Sequence, residues 1–244
     1  MQLIIDIGNT RTKLALFNQD RLVTVVRINP EEFDASFSQL LEDIGSIEAC
    51  IIGATGNIPQ GMVKTIQAHC PTMVLDHNAK LPFVNDYATP ETLGVDRMAL
   101  ISAAAAQYPD QNILVIDAGT CVTYDFIDDK NHFKGGAISP GLSMRYDALH
   151  GYTAKLPDLE PMAPESLIGD STANSIHSGV VYGLVNEIEG VVGRYNEQFL
   201  DLTVILTGGD AHFLLDHLKN GIFANSNFLL EGLNYLLTLN DVHD

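Results

Sequence analysis

One pattern occurs twice in this chain, 111 residues apart: an apolar run that ends in Asp-x-Gly and passes at once into small hydroxyl or amide residues. Leu3-Ile4-Ile5-Asp6-Ile7-Gly8-Asn9-Thr10 carries the first copy, and Leu114-Val115-Ile116-Asp117-Ala118-Gly119-Thr120 the second. At a constant offset Asp6 matches Asp117, Gly8 matches Gly119 and Thr12 matches Thr123. An apolar run of this length closed by glycine reads as a buried strand. The glycine allows a tight turn whose N–H groups can face an anion, and the Asp can hold a cation or polarise water. A single copy is weak evidence, and an ordinary capped hairpin would be the better reading of it. Two copies predict a duplicated α/β protein whose paired loops clamp a polyphosphate, hence a nucleotide-dependent phosphotransferase.

The rest of the chain repeats the same plan. Strands are expected over Leu3–Ile7, Thr12–Phe17 and Leu22–Arg27, then a helix after Pro30, a strand over Cys50–Ala54, a helix over Met62–Ala68 and a strand over Met73–Leu75. Pro82–Thr92 reads as loop and Arg97–Gln107 as an Ala-rich helix. The second half begins with strands over Ile113–Ile116, Val122–Ile127 and His132–Ile138, and a short helix follows Pro140-Gly141. Gly151–Gly169, with three prolines, reads as an irregular strap. A long helix capped by Asp170 or Ser171 then presents Ile176, Val180, Leu184, Ile188, Val191 and Tyr195 on one face. Gly179 and Gly183 on that helix are expected to let another helix pack closely. A strand over Leu202–Thr207, a short helix and a terminal helix over Leu229–Leu239 complete the chain. Halves 1–110 and 111–244 are expected, each a mixed sheet flanked by helices, with ligands at the strand ends in the cleft between them.

Composition narrows the function classes. Thirteen basic residues against 31 acidic ones give a net charge of −18, a poor footprint for nucleic acid, whose binding rests on Lys and Arg displacing counterions. No run approaches the roughly 20 apolar residues of a membrane span, and a basic, cleavable leader is not expected. Cys50, Cys70 and Cys121 form no CxxC pair, which suits a reducing compartment, and a cytoplasmic protein is expected. The sequence also lacks HExxH, GxxxxGK[ST] and GxSxG, which removes support for zinc hydrolases, Walker-type ATPases and α/β-hydrolases.

Candidate chemistry then concentrates in four places. Asp6 to Lys13 offers loop amides, Asn9 and Thr10 side chains, and a lysine for phosphate oxygens. Asp117 and Thr120 repeat the device. Gly94-Val95-Asp96-Arg97 stands at a helix start, where a carboxylate can accept a hydroxyl proton and an arginine can fork onto a substrate carboxylate. Thr207-Gly208-Gly209-Asp210 ends a buried strand with a glycine pair that lets a flat ligand approach the backbone. Each alone also reads as a local structural feature: a capped hairpin or helix start is the better reading of the first loop and of Asp96-Arg97 taken singly, and a strand end or tight strand–helix turn is as good a reading of Asp117 and of Gly208-Gly209.

In order, the motifs Asp6-Ile7-Gly8-Asn9-Thr10 with Lys13, Gly94-Val95-Asp96-Arg97, Asp117-Ala118-Gly119-Thr120, Gly135-Gly136-Ala137-Ile138-Ser139-Pro140-Gly141 and Gly169-Asp170-Ser171-Thr172 resemble the type III pantothenate kinases. These belong to the acetate kinase, sugar kinase, Hsp70 and actin superfamily, so the resemblance implies two duplicated ribonuclease H-like halves. It implies phosphoryl transfer from ATP to the pantothenate hydroxyl, the first step of coenzyme A synthesis, by a cytoplasmic homodimer. It places ATP against Asp6, Ile7, Gly8, Asn9, Thr10, Arg11, Thr12, Lys13 and Thr120, and makes Asp96 the proton acceptor. It sets Tyr87, Gly94, Val95, Asp96, Arg97 and Thr172 on pantothenate. Mg²⁺ would accompany ATP, and Asp117 would hold a monovalent cation, K⁺ or NH₄⁺. Gly179 and Gly183 would lie near the subunit contact, and Cys121 would be a small buried hydrophobe. Nucleic acid and membrane are not expected as partners. Two competing readings share the scaffold: a non-catalytic transcriptional regulator, disfavoured by the intact Asp96 and both loops, and a transferase with another hydroxylated acceptor.

Overall fold

A computed structural model describes residues 1–8, 11–219 and 221–240. The chain divides into two compact units. The first comprises Met1–Pro109, Asn131–Phe133 and Asn227–Asp244, and the second Asp110–Lys130 and Lys134–Ser226.

In the first unit β1 (Gln2–Ile7), β2 (Thr12–Asn18) and β3 (Arg21–Ile28) form an antiparallel meander. A 3-10 turn over Pro30–Glu32 leads into α1 (Phe33–Ile44). β4 (Ala49–Ala54) then pairs with β1 in parallel, and after α2 (Met62–Gln67) β5 (Thr72–Val74) pairs with β4 in parallel. The sheet order is β3-β2-β1-β4-β5. Leu3, Ile5, Leu14, Leu16, Cys50 and Ile52 project from one face onto Phe33, Phe37, Leu40, Met62 and Ile66. The alternation that a strand imposes on its side chains selects this set. β6 (Val84–Asn85) and a 3-10 turn over Pro90–Thr92 lie within the stretch expected as loop. α3 (Val95–Gln107) follows, its Met98–Ala104 segment fully buried. It packs on α7 (Phe228–Leu239), the closing helix, so tightly that a Cβ on Gly232 would collide with the Ala99 carbonyl. This packing anchors the helix that carries Asp96.

The second unit repeats the order. β7 (Ile113–Ala118) and β8 (Cys121–Ile127) are antiparallel, and β9 (His132–Pro140) lies beside β8. α4 (Leu142–Gly151), the irregular strap and α5 (Thr172–Gln198) follow. β10 (Thr203–Thr207) runs parallel to β7; after α6 (Ala211–Leu215), β11 (Ile222–Ala224) runs parallel to β10. The resulting order β11-β10-β7-β8-β9 is the first sheet's order again, extended by β6 beside β9. Duplicated ribonuclease H-like sheets are therefore present. Even a closing hydrogen bond recurs: Thr55 N donates to Ile7 O at 3.0 Å after β4, and Asp210 N to Ala118 O at 2.9 Å after β10.

Ser171 caps α5, accepting from Asn174 N at 3.2 Å. Ile176, Val180, Leu184 and Ile188 bury its inner face, with Val191 and Tyr195 half-buried against the same cluster. Two expectations need correction. Among the described residues no helix packs over Gly179 or Gly183, because a Cβ at either would meet no atom within 4 Å. The constant 111-residue offset also fails across the loops. Asp6 pairs with Lys13 and Asp117 with Thr123, so the first hairpin loop is one residue longer and Thr123 stands where Lys13 does, not Thr12.

Candidate active site

The first unit brings together Asp6, Lys13, Asp96, Arg97 and Tyr87. Asp6 ends β1, and its register partner on β2 is Lys13, whose ammonium lies 3.2 Å from the Asp6 carboxylate. Burial pushes the Asp6 carboxyl above its ordinary value. Lys13 opposes this by charge and hydrogen bond, and the negative charge of nearby Asp96 adds to it. Gly8 N donates to Arg11 O at 3.1 Å to close the loop, with Arg11 exposed at its end. Asn9 and Thr10 lie outside the described residues. Ile7 and Thr12 are buried, so only their backbone is offered to a ligand, and the Thr12 hydroxyl has no hydrogen-bond partner among the described residues.

Asp96 sits in the first turn of α3, where free backbone N–H groups favour an acidic side chain. Its Oδ1 accepts from the Arg97 N–H at 2.8 Å, which folds the carboxylate back over Gly94. A Cβ on Gly94 would collide with that Oδ1, so a larger residue before Val95 would displace the Asp96 carboxylate from this position. Arg97 is buried, with its guanidinium 5.4 Å from the centre of the half-buried Tyr87 ring and 5.8 Å from that of Phe133. The two rings are themselves stacked at 5.9 Å. Cation–π contact of this kind fixes a planar cation's orientation. Phe133 escaped the sequence reading. Its position at the start of β9 pairs it with Asn85, two residues before Tyr87, a register that only the fold reveals. A cavity of about 200 Å³ lined by His77, Leu81, Asn85, Pro90, Glu91 and Met98 opens in the same unit, and none of the residues singled out from sequence lines it.

The second unit holds Asp117, Thr120 and Thr172. Asp117 ends β7 between Thr123 of β8 and Thr207 of β10. Gly119 N donates to Cys121 O at 2.9 Å, leaving Thr120 exposed at the tip and Cys121 half-buried rather than in the core. Gly208 has φ +99°, and a Cβ there would strike Ala118 O and lie 2.5 Å from Asp117 Oδ1, so only glycine brings this turn against the Asp. Beside it, burial raises the Asp210 carboxyl. Gly141 N donates to Thr120 O at 3.1 Å, closing the loop from a third side. Thr172 opens α5 and is exposed.

Among the described residues no three His, Cys, Asp or Glu side chains converge as a metal cage. Mg²⁺ is commonly held by one or two carboxylates together with substrate phosphates. Asp6 with Asp96 in its field, and Asp117 beside the Gly208 turn, are the oxygen donors that fit hard cations.

The family model described as type III pantothenate kinase matches residues 2–194. The type III pantothenate kinase of Flavobacterium johnsoniae is 47% identical over 96% of this chain and 96% of its own. The chain belongs to the type III pantothenate kinase family. Solved structures agree at the level of fold. One is a protein assigned to the Baf family of transcriptional activators from Campylobacter jejuni, 19% identical with TM-score 0.62, covering 97% of each chain. Another is a protein assigned as a 2-dehydro-3-deoxygalactonokinase from Sinorhizobium meliloti, 15% identical with TM-score 0.61, covering 97% of this chain and 98% of its own. Membership makes the chain a nucleotide-binding kinase, and no helix among the described residues is long and apolar enough to cross a membrane.

Proposed function

We propose that the chain transfers the γ-phosphoryl group of ATP to the pantothenate hydroxyl, giving 4′-phosphopantothenate and ADP at the entry to coenzyme A synthesis. The observation that carries this is the match to type III pantothenate kinases along nearly the whole chain. In this reading the pantothenate oxygen attacks the γ-phosphorus, its proton passes to the Asp96 carboxylate, and the bond to the ADP oxygen breaks. Transfer of this kind depends on positioning and charge stabilisation more than on covalent help. The Asp6–Lys13 loop backbone, Lys13 and Thr120 serve ATP, and the Gly208-Gly209 turn receives the adenine. Val95 and the backbone at Gly94 line the acceptor site, Arg97 meets the pantothenate carboxylate from its aromatic seat, and Tyr87 and Thr172 flank the substrate. Mg²⁺ bound with ATP would neutralise phosphate charge, and Asp117 would hold K⁺ or NH₄⁺ near the nucleotide.

A homodimer fits the outer face of α5. Gly179, Gly183, Gly190 and Gly193 lie exposed along it with open space above each, and Leu167 and Ile168 of the strap are exposed in the same unit.

The test of the base is Asp96→Asn. The variant keeps its fold and its ATP affinity, and turnover falls roughly 10²–10⁴-fold, the usual worth of a positioned base. Steady-state kinetics with nucleotide binding by calorimetry measure both, and near-normal turnover would remove Asp96 from the role.

A further inference from the structure

β8, which leaves the second Asp-x-Gly loop, and the end of β9, which returns to it, are both tied to a single carboxylate on α5. Tyr124 of β8 donates its hydroxyl to Glu187 Oε1 at 2.9 Å. Arg145 of α4 donates to Glu187 Oε2 at 2.5 Å. The same guanidinium reaches the end of β9, donating to Ser139 Oγ at 3.0 Å and to Pro140 O at 2.9 Å. The next residue is Gly141, whose N–H bonds Thr120 O at 3.1 Å and whose missing Cβ would collide with the carbonyls of Gly119 and Thr120. The contacts thus run from Glu187 through Arg145 and the Ser139-Pro140-Gly141 turn to Thr120. Charge-assisted bonds of this kind are the strong ones, and the planar arginine fork fixes direction as well as distance. Burial works against the Glu187 charge, yet hydrogen bonds from Arg145, Ser139 and Tyr124 outweigh it and hold the carboxyl below its ordinary value. Glu187 is therefore ionised at neutral pH, as the bonding pattern requires.

We propose that Arg145 and Glu187 are positioning residues for nucleotide binding: they hold the β9–α4 turn against the Gly119-Thr120 loop and so fix where Thr120 stands. The proposal rests on the reading of Thr120 as an ATP contact. Neither residue touches the nucleotide; each acts through the turn. Loosening this clamp lets the Thr120 loop drift from the geometry in which it grips phosphate, and it leaves the pantothenate residues of the first unit unaltered.

The test compares Glu187→Gln, Tyr124→Phe, Arg145→Lys and Thr120→Val with wild type, measuring KM for ATP and for pantothenate, calorimetric affinity for ADP, and Tm. Glu187→Gln is expected to raise KM for ATP and weaken ADP about tenfold, the scale of one lost charge-assisted hydrogen bond. Pantothenate KM should move less than about twofold. Arg145→Lys keeps the charge without the fork and should fall between wild type and Glu187→Gln, and Tyr124→Phe should give a smaller rise of about two- to threefold. A lowered Tm with ATP and ADP affinities unchanged in Glu187→Gln, while Thr120→Val weakens them, would show a merely structural clamp and overturn the proposal. Unchanged affinities in both would overturn the reading of Thr120 and the proposal with it. If Glu187→Gln fails to fold, Tyr124→Phe decides, and an unchanged KM for ATP there overturns the proposal.

Discussion

Burial raises the Asp6 carboxyl, Lys13 opposes the shift and Asp96 adds to it. A carboxyl raised on folding stabilises the fold while protonated, and that contribution is lost as pH climbs from the ordinary 3.8 through the folded value. Above that range the ionised Asp6 costs the fold stability. Asp6→Asn should leave Tm unchanged or higher near pH 7 while reducing turnover by about 10²-fold or more, the range for lost electrostatic stabilisation. A clear fall in Tm would mean that the Lys13 pair stabilises more than burial costs. Asp117 carries a second expectation. If Asp117 holds a monovalent cation, as proposed, turnover should depend on K⁺ or NH₄⁺ in addition to Mg²⁺. Full turnover in buffers holding only Na⁺ and Mg²⁺ would remove the cation from Asp117. Side-chain types and their order were readable from the sequence at this scale, whereas seating was not. Arg97 lies against both Tyr87 and Phe133 only because β6 and β9 pair across 46 intervening residues, from Asn85 to His132.

Long, periodic elements were legible, and so were the short α2 and β5, whereas β6 and β11 were not. The inner face of α5 and the core strands follow the 3.6- and 2-residue periods that burial imposes. β6 and β11, of two and three residues, are too short to show a period and exist because a neighbouring strand offers hydrogen bonds. The duplication was visible as a constant offset, yet hairpin loops of unequal length shifted Lys13 into the place opposite Asp6, which an ungapped match cannot detect. Glu187 drew no notice because Tyr124, Arg145 and Ser139 are remote from it in sequence. The outer face of α5 makes an element-scale prediction of its own. Exposed glycines weaken a helix by about 1 kcal/mol each relative to Ala, so a partner over Gly183 would explain their presence. Gly183→Leu should split a dimer into 26.5 kDa chains, as read by light scattering. If no partner covers that face, the same change improves helix propensity, mass stays as in wild type and Tm rises.

At the scale of the molecule, a chain carrying −18 has to concentrate its few cations where an anionic substrate needs them. Lys13 at the first loop and Arg97 against the stacked Tyr87 and Phe133 rings fit that placement. The duplicated sheets set an Asp at the end of each central strand, Asp6 on β1 and Asp117 on β7, and the family match supplies what the fold alone cannot: the identity of the acceptor. Composition excluded broad classes, and the ordered motifs reached the family, but no physical rule translates the residues from Pro82 to Arg97 into pantothenate. Substrate is accordingly the point at which direct measurement bears hardest. Purified protein with ATP, Mg²⁺ and K⁺ should release ADP in proportion to added pantothenate and yield a product heavier by one phosphoryl group in mass spectrometry. ADP release indifferent to pantothenate, from protein that binds ATP, would contradict the assignment.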